Sequence, residues 1–380
     1  MRSMHLAVAA LGSVAAALLV AIAALRSFRT ASQQDDRASA YWLKDYPEAL
    51  CLDGSPALYY FRRGSGTGQS KFLVFFEGGG FCSSHEDCAD RAEGYYGSTT
   101  DDGATRDLGH PFFSTSPTES PLIWNWNHVF VRYCDGGYFS GAKRDAQRVG
   151  SSSIFYRGQP ITAALFSDLA RYRGLSGATD VVLSGCSSGA IRVFAHADAL
   201  RAIIPSAQAT VVGFPDSGFY LDRPMFTPLK RFVVVGQNAT GLLNRRCLED
   251  NRGAEERCLI GALVSPYLKT PIFAWQSRYD ADQRGCEMTG KCANSVACVR
   301  EYGEDLTEQV NRSLLASGKA GVFLDSCDRH CAGPRLPLDD ASGLNPLQAF
   351  AAWYVGRGRV YDQAASYPCE SCCGTSATYF

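Results

Sequence analysis

The chain has 380 residues, enough for one large α/β domain or two ordinary ones. Hydrophobic residues make up 46% and charged residues 20%, a balance that fits a globular protein with a sizeable core. A formal net charge of -1, with no basic block and no arginine-rich stripe, speaks against a nucleic-acid binder.

In chain order, the first feature is Leu6 to Leu25, a charge-free apolar run with Arg2 before it and Arg26 and Arg29 after it. A secretory apolar region is usually about 7–15 residues long, whereas a spanning helix needs about 20. A signal anchor and a cleaved peptide both stay open, the latter through the small residues of Ala21-Ile22-Ala23. Residues 1–30 are expected to be this signal peptide or anchor, residues 31–45 a polar stalk, and residues 46–380 one catalytic domain. Membrane contact is expected only through Leu6–Leu25, if it is uncleaved. The 15 cysteines, many of them clustered in loop-like sequence, point to the oxidising secretory pathway. The large C-terminal part is then lumenal or extracellular. Asn238-Ala239-Thr240 and Asn311-Arg312-Ser313 are glycosylation sequons, which are common by chance. A zinc site would need two C-x2-C units, and only Cys369–Cys372 offers one. The odd count leaves a thiol unpaired, and Cys186 is the candidate.

Apolar β-forming runs recur at Phe72–Phe76, Val129–Tyr133, Val181–Leu183, Thr210–Val212 and Ile272–Trp275, with helix-like segments such as Pro160–Tyr172 and Ala190–Ala202 between them. This alternation predicts an α/β fold, a mostly parallel sheet flanked by helices, with disulfide-rich loops. Sites in such sheets form at the carboxyl ends of strands. Phe72–Phe76 runs into Glu77-Gly78-Gly79-Gly80-Phe81-Cys82, and Cys82–Cys88 is a plausible local disulfide. Val181–Leu183 runs into Gly185-Cys186-Ser187-Ser188-Gly189, a G-x-S-x-G stretch between strand and helix. That is the pattern of a nucleophile elbow, which holds Ser187 in a strained turn while the glycines let strand and helix approach. Thr210–Val212 leads to Asp216-Ser217-Gly218, and Ile272–Trp275 leads to Ser277-Arg278-Tyr279-Asp280.

Elbow hydrolases run in the order serine, acid, histidine. Of the six histidines, only His196 and His330 follow Ser187. His196 falls on the elbow helix, roughly 13 Å from the serine at about 1.5 Å rise per residue. His330 remains as the base, in Cys327-Asp328-Arg329-His330-Cys331, a loop that two disulfides could hold still. The orienting acid must lie between them. Asp280 is best placed by its strand end, Asp216 is the runner-up, and Asp325 the third candidate. The oxyanion donors are expected to be the amides of Ser188, Gly78 and Gly79.

Together these segments resemble the pectin acetylesterase/Notum family of carboxylesterases, in order over most of residues 45–355. Phe75-Phe76-Glu77-Gly78-Gly79-Gly80-Phe81-Cys82 is similar to its Leu-Glu-Gly-Gly-Gly-Trp-Cys loop, and Gly185-Cys186-Ser187-Ser188-Gly189-Ala190 to its Gly-Cys-Ser-Ala-Gly-Gly elbow. Asp216-Ser217-Gly218-Phe219, Ser277-Arg278-Tyr279-Asp280 and Cys327-x-x-His330-Cys331 resemble three further segments, the last two carrying the family's acid and base. Phe81, Ser188 and Ala190 depart from the family's Trp, Ala and Gly. The resemblance implies an α/β-hydrolase-like fold, a Ser-His-Asp carboxylesterase without metal or organic cofactor, and a Cys51–Cys134 disulfide. It implies as substrate either acetyl esters of a polysaccharide such as pectin, the leading expectation, or a lipid-acylated protein. A catalytically dead glycan-binding relative and a hydrolase using Cys186 are the rivals.

Overall fold

The computed structural model describes residues 37–288, 290, 292, 295–333, 336–369 and 372–373. In chain order the strands are β1 (Ala38–Trp42), β2 (Leu58–Arg62), β3 (Lys71–Phe76), β4 (Thr105–Arg106), β5 (Asn127–Val131), β6 (Gln147–Val149), β7 (Ser152–Ile154), β8 (Asp180–Cys186), β9 (Thr210–Asp216), β10 (Phe273–Ser277), β11 (Gly321–Asp325) and β12 (Val360–Asp362). All but the β6–β7 hairpin join one 10-stranded sheet in the order β12-β11-β10-β9-β8-β3-β5-β2-β1-β4. The stretch from β12 to β5 is parallel, and β2, β1 and β4 are added antiparallel beyond it. The expected mostly parallel sheet is therefore present.

The parallel strands are apolar on both faces because both faces are covered. Along β3 the pleat sends Phe72, Val74 and Phe76 to one side and Leu73 and Phe75 to the other. The first side packs under helices α2 (Gly158–Tyr172) and α3 (Ser188–Ile203), which supply Leu165, Phe166, Val193 and Phe194, while α1 (His85–Ala92) packs through Cys88 and Ala92 in a separate small cluster. The second side packs under α6 (Pro346–Tyr354), whose Phe350 stacks on Phe214 with ring centroids 4.1 Å apart. Removing a ring so enclosed costs about 3–5 kcal/mol. Helices α4 (Ala281–Glu287) and α5 (Val296–Gln309) follow β10.

The stalk expectation is corrected at its end. Ala38–Trp42 is a strand of the sheet, pairing with β2 on one side and β4 on the other, and Leu43 is buried. Near the sheet's edge β1, Ala-Ser-Ala-Tyr-Trp, buries only Ala38 fully and lacks the run of large buried apolar residues that marks the central strands. Leu6–Leu25 lies outside the described residues, among which no helix is long and apolar enough to cross a membrane.

The order of strand addition reverses at β3: β5 is added on one side of it, and β8 to β12 on the other. That switch point opens a crevice at the carboxyl ends of β3 and β8, where the glycine loop and the elbow emerge.

Candidate active site

Ser187 occupies the apex between β8 and α3 with φ 55 and ψ -120, a conformation outside the ordinary regions for a residue with a Cβ. Such strain costs about 1–3 kcal/mol and persists only where neighbours impose it. They are visible here. The Ser187 amide donates to the Asp216 carbonyl at 3.1 Å. A Cβ on Gly189 would meet the Phe76 carbonyl oxygen at 1.9 Å, and one on Gly185 would meet it at 2.6 Å. The two flanking glycines thus let the elbow close on the end of β3, as the spacing predicts.

The glycine loop lies against the elbow: a Cβ on Gly78 would sit 2.7 Å from the Cys186 carbonyl oxygen. Its carbonyls are turned outward and held. Gly80 O accepts from Tyr133 Oη at 2.8 Å and from Ser188 Oγ at 2.7 Å, and Gly79 O accepts from Arg91. Among the described residues, the amides of Gly78, Gly79 and Ser188 have no protein acceptor. Beneath the loop, Glu77 accepts from the buried Arg132 at 2.9 Å and from the Tyr133 amide at 2.9 Å. This anchoring was not visible in the sequence, since Arg132 is some fifty positions away and ends no recognisable motif. The Cys82–Cys88 disulfide ties the far end of the loop to α1, and Cys51–Cys134 pairs as the resemblance implies.

His330 Nδ1 lies 2.8 Å and 2.9 Å from the two oxygens of Asp280, which is fully buried. A carboxylate only accepts, so Nδ1 carries the proton and Nε2 is the basic edge of the neutral ring. Asp280 also caps α4 by accepting from the Gln283 amide at 3.0 Å, so the start of the helix fixes the carboxylate. Burial opposes charge on His330, yet Asp280, with smaller help from Asp282 and Asp216, holds its pKa above the ordinary value. Ser187, Ser188, Gly79, Gly80 and His330 line one cavity of about 310 Å³. His196, set aside by distance, is buried in α3 against the Arg192 carbonyl.

Asp216 and Asp325, the other acid candidates, do not reach the imidazole. Both face Arg329, whose Nη1 is 3.0 Å from Asp216 and whose Nη2 is 2.6 Å from Asp325.

The expectation for Cys186 is overturned: it is bonded to Cys331, so the residue before the elbow serine is joined to the residue after His330. The unpaired thiol among the described residues is Cys286. The reason is topological. The elbow leaves β8 and the histidine loop leaves β11, with β9 and β10 between them, and the loop reaches back across the end of β9 through the Cys331 and Ala332 amides, which no spacing in the sequence exposes. The Sγ atoms of Cys186 and Cys331 lie close to a His330 nitrogen, but bonded to each other they are not a metal set. Cys369 and Cys372, half of a zinc unit on spacing, are likewise a disulfide, and Cys327 pairs with Cys373. Both ends of the histidine loop are therefore anchored. A Cys186 nucleophile is set aside on the same ground.

Sequence reasoning missed the rest of the cavity wall: Phe81, Tyr96, Tyr138, Ile191, Tyr220, Phe226, Asp282 and Cys286. Only Asp282 carried a signal, two positions after Asp280 at the start of a helix.

The sheet, the strained elbow at its switch point and the buried Asp–His pair beside it are the architecture of an α/β hydrolase. The chain belongs to the pectinacetylesterase family, whose family model matches residues 31–374. It is 29% identical over 362 residues to pectin acetylesterase 5 of Arabidopsis thaliana, covering 86% of this chain and 82% of that protein. It is 31% identical over 286 residues to the human palmitoleoyl-protein carboxylesterase NOTUM, covering 70% of this chain but 55% of that protein. The structure of the Wnt deacylase Notum from Drosophila shares the fold, with a TM-score of 0.77 at 24% identity over 89% of this chain and 99% of that one. The protein is a carboxylic ester hydrolase, and its disulfides fit an oxidising, secretory compartment.

Proposed function

We propose that the protein hydrolyses acetyl esters of a polysaccharide through Ser187, His330 and Asp280. The observation that carries this reading is the buried Asp280–His330 pair in the cavity that Ser187 also lines, with elbow and histidine loop bonded through Cys186–Cys331. Ser187 Oγ attacks the ester carbonyl carbon while His330 Nε2 takes its proton. The bond to the alcohol then breaks, and Nε2 returns that proton to the departing oxygen. Water, deprotonated by the same nitrogen, releases the acyl group. Asp280 keeps the proton on Nδ1 and stabilises the imidazolium. The amides of Gly78, Gly79 and Ser188 receive the oxyanion, and because they have no other acceptor among the described residues they need not reorganise to do so.

The relatives' names supply two acyl classes, acetyl and palmitoleoyl. The extent of the match favours the first: it spans 82% of pectin acetylesterase 5 but 55% of human NOTUM. Residues 1–30 are read as the export signal or anchor that delivers the domain. Ser187→Ala is expected to lower turnover of p-nitrophenyl acetate on the order of 10⁴–10⁶-fold with an unchanged circular dichroism spectrum. Activity is expected to fall from acetyl to palmitoyl esters. A Ser187→Ala protein that kept most of its activity would end this reading.

A further inference from the structure

We propose that Asp282 recognises a hydroxyl group next to the ester on the departing alcohol, and so selects esters of polyols. The inference rests on His330 and Ser187 acting as proposed above, and adds the chemistry of the leaving group.

His330 is flanked by two carboxylates of different character. Asp280 faces Nδ1 and is fully buried, whereas Asp282 Oδ2 lies 3.6 Å from Nε2 and its side chain is 46% exposed. The two sit one residue apart at the start of α4, and the ring stands between them. Nε2 is the atom that must deliver a proton to the departing alkoxide, so that oxygen has to come within about 3 Å of it. A group 3.6 Å from the same nitrogen therefore borders the alcohol side of the reacting ester, not its acyl side.

Asp282 is also held in place. Its Oδ2 accepts from the hydroxyl of the buried Tyr220 at 3.0 Å. Its Oδ1 has no protein donor among the described residues, while the residue lines the cavity. One oxygen is thus fixed by the wall and the other is left for a ligand. It is the sole carboxylate among the described residues lining that cavity; its neighbours there are aromatic rings and the Cys286 thiol, whose pKa burial pushes up to about 11.

A carboxylate only accepts hydrogen bonds, so it rewards a donor and penalises an alkyl group that covers it. A hydroxyl on the carbon next to the ester-bearing carbon lies close enough to the leaving oxygen to reach Oδ1 when that oxygen meets Nε2. Sugar residues carry such vicinal hydroxyls, and simple alkyl alcohols do not.

Ethylene glycol monoacetate and propyl acetate test this, since they differ only in a hydroxyl in place of a methyl group. The full-length protein is expected to prefer the glycol ester in kcat/KM by on the order of ten-fold or more, as for a hydrogen bond to a charged group. Asp282→Ala is expected to bring that ratio close to one, and Asp282→Asn, with nearly the same shape, serves if the alanine variant does not fold. A wild-type ratio near one overturns the inference outright, and so does a ratio that Asp282→Ala leaves unchanged. Ser187→Ala run beside them separates the two readings. If it is inactive while the wild-type ratio is near one, the leaving-group inference alone is lost; if it hydrolyses both esters, the triad reading is lost as well.

Discussion

Arg329 and His330 are neighbours in one loop, and each is surrounded by aspartates from strand ends, yet the two sites are built for opposite ends. Around Arg329 one guanidinium is shared by two buried carboxylates. Asp325 accepts from Arg329 and from Trp275 Nε1 at 2.8 Å, and Asp216 accepts from Arg329 and from the Ala332 amide at 2.6 Å. The guanidinium also lies 4.4 Å from the centre of the Trp275 ring. Burial still holds Asp216 above the ordinary carboxylate range despite its partner, which shows how enclosed the cluster is. Around His330 the charge can change, because imidazole gains and loses a proton near neutrality. A strand-end carboxylate is thus structural when its partner is an arginine, and a candidate for catalysis when its partner titrates.

Substitutions on the two sides should separate accordingly. The largest effect is expected for Asp280→Asn, which keeps the shape but no longer holds the proton on Nδ1. Turnover of an acetyl ester should fall about 10⁴-fold while the melting temperature stays near that of the wild type. Arg329→Ala should do the reverse in kind. Two buried carboxylates lose their cation, and stability measured by urea unfolding should drop by about 3–5 kcal/mol. Activity per folded molecule should suffer less than in Asp280→Asn. If Arg329→Ala instead left stability unchanged and abolished turnover, the division between the sites would be broken.

A milder test acts on the pH profile. With His330 as the proposed base, catalysis needs its neutral form, so kcat/KM should rise with pH as the imidazolium loses its proton. Burial lowers that pKa; Asp280, Asp282 and Asp216 raise it, and the net shift is upward. Asp282→Asn removes one stabilising negative charge, so the acid limb should move to lower pH. A limb that stayed in place would show that Asp282 is electrostatically remote from the base.

The reach of the sequence follows the same division. Ser187, Asp280 and His330 could be picked out because elbow chemistry fixes chain order and strand ends fix position, and the structure brings Asp280 against His330. The central strands were legible because continuous burial leaves runs such as Phe72–Phe76. Strands β1 and β4 near the edge were not, since β1 carries no continuous buried run and β4 is two residues long. Strands β11 and β12 were missed as well, which hid the site of Asp325. The Cys186–Cys331 bond was hidden because it spans 145 positions and joins loops from β8 and β11, which meet only because the histidine loop folds back over the end of β9. Tyr220 was missed for a related reason: cavity walls are assembled from separate elements, and a single tyrosine in a loop has no local pattern.

Ser188 gives the smallest expected effect and the sharpest contrast within the site. Its hydroxyl donates to Gly80 O at 2.7 Å, which steadies the glycine loop, while its amide has no protein acceptor among the described residues. Ser188→Ala deletes the hydroxyl and keeps the amide. Gly80 O retains its bond from Tyr133, so the loop should hold its place. The lost hydrogen bond is worth about 1 kcal/mol, which would show as a small drop in melting temperature and at most a few-fold change in kcat/KM. A loss approaching that of Asp280→Asn would mean that the Ser188 hydroxyl itself takes part in the reaction, and the oxyanion site would have to be redrawn around a side chain instead of backbone amides.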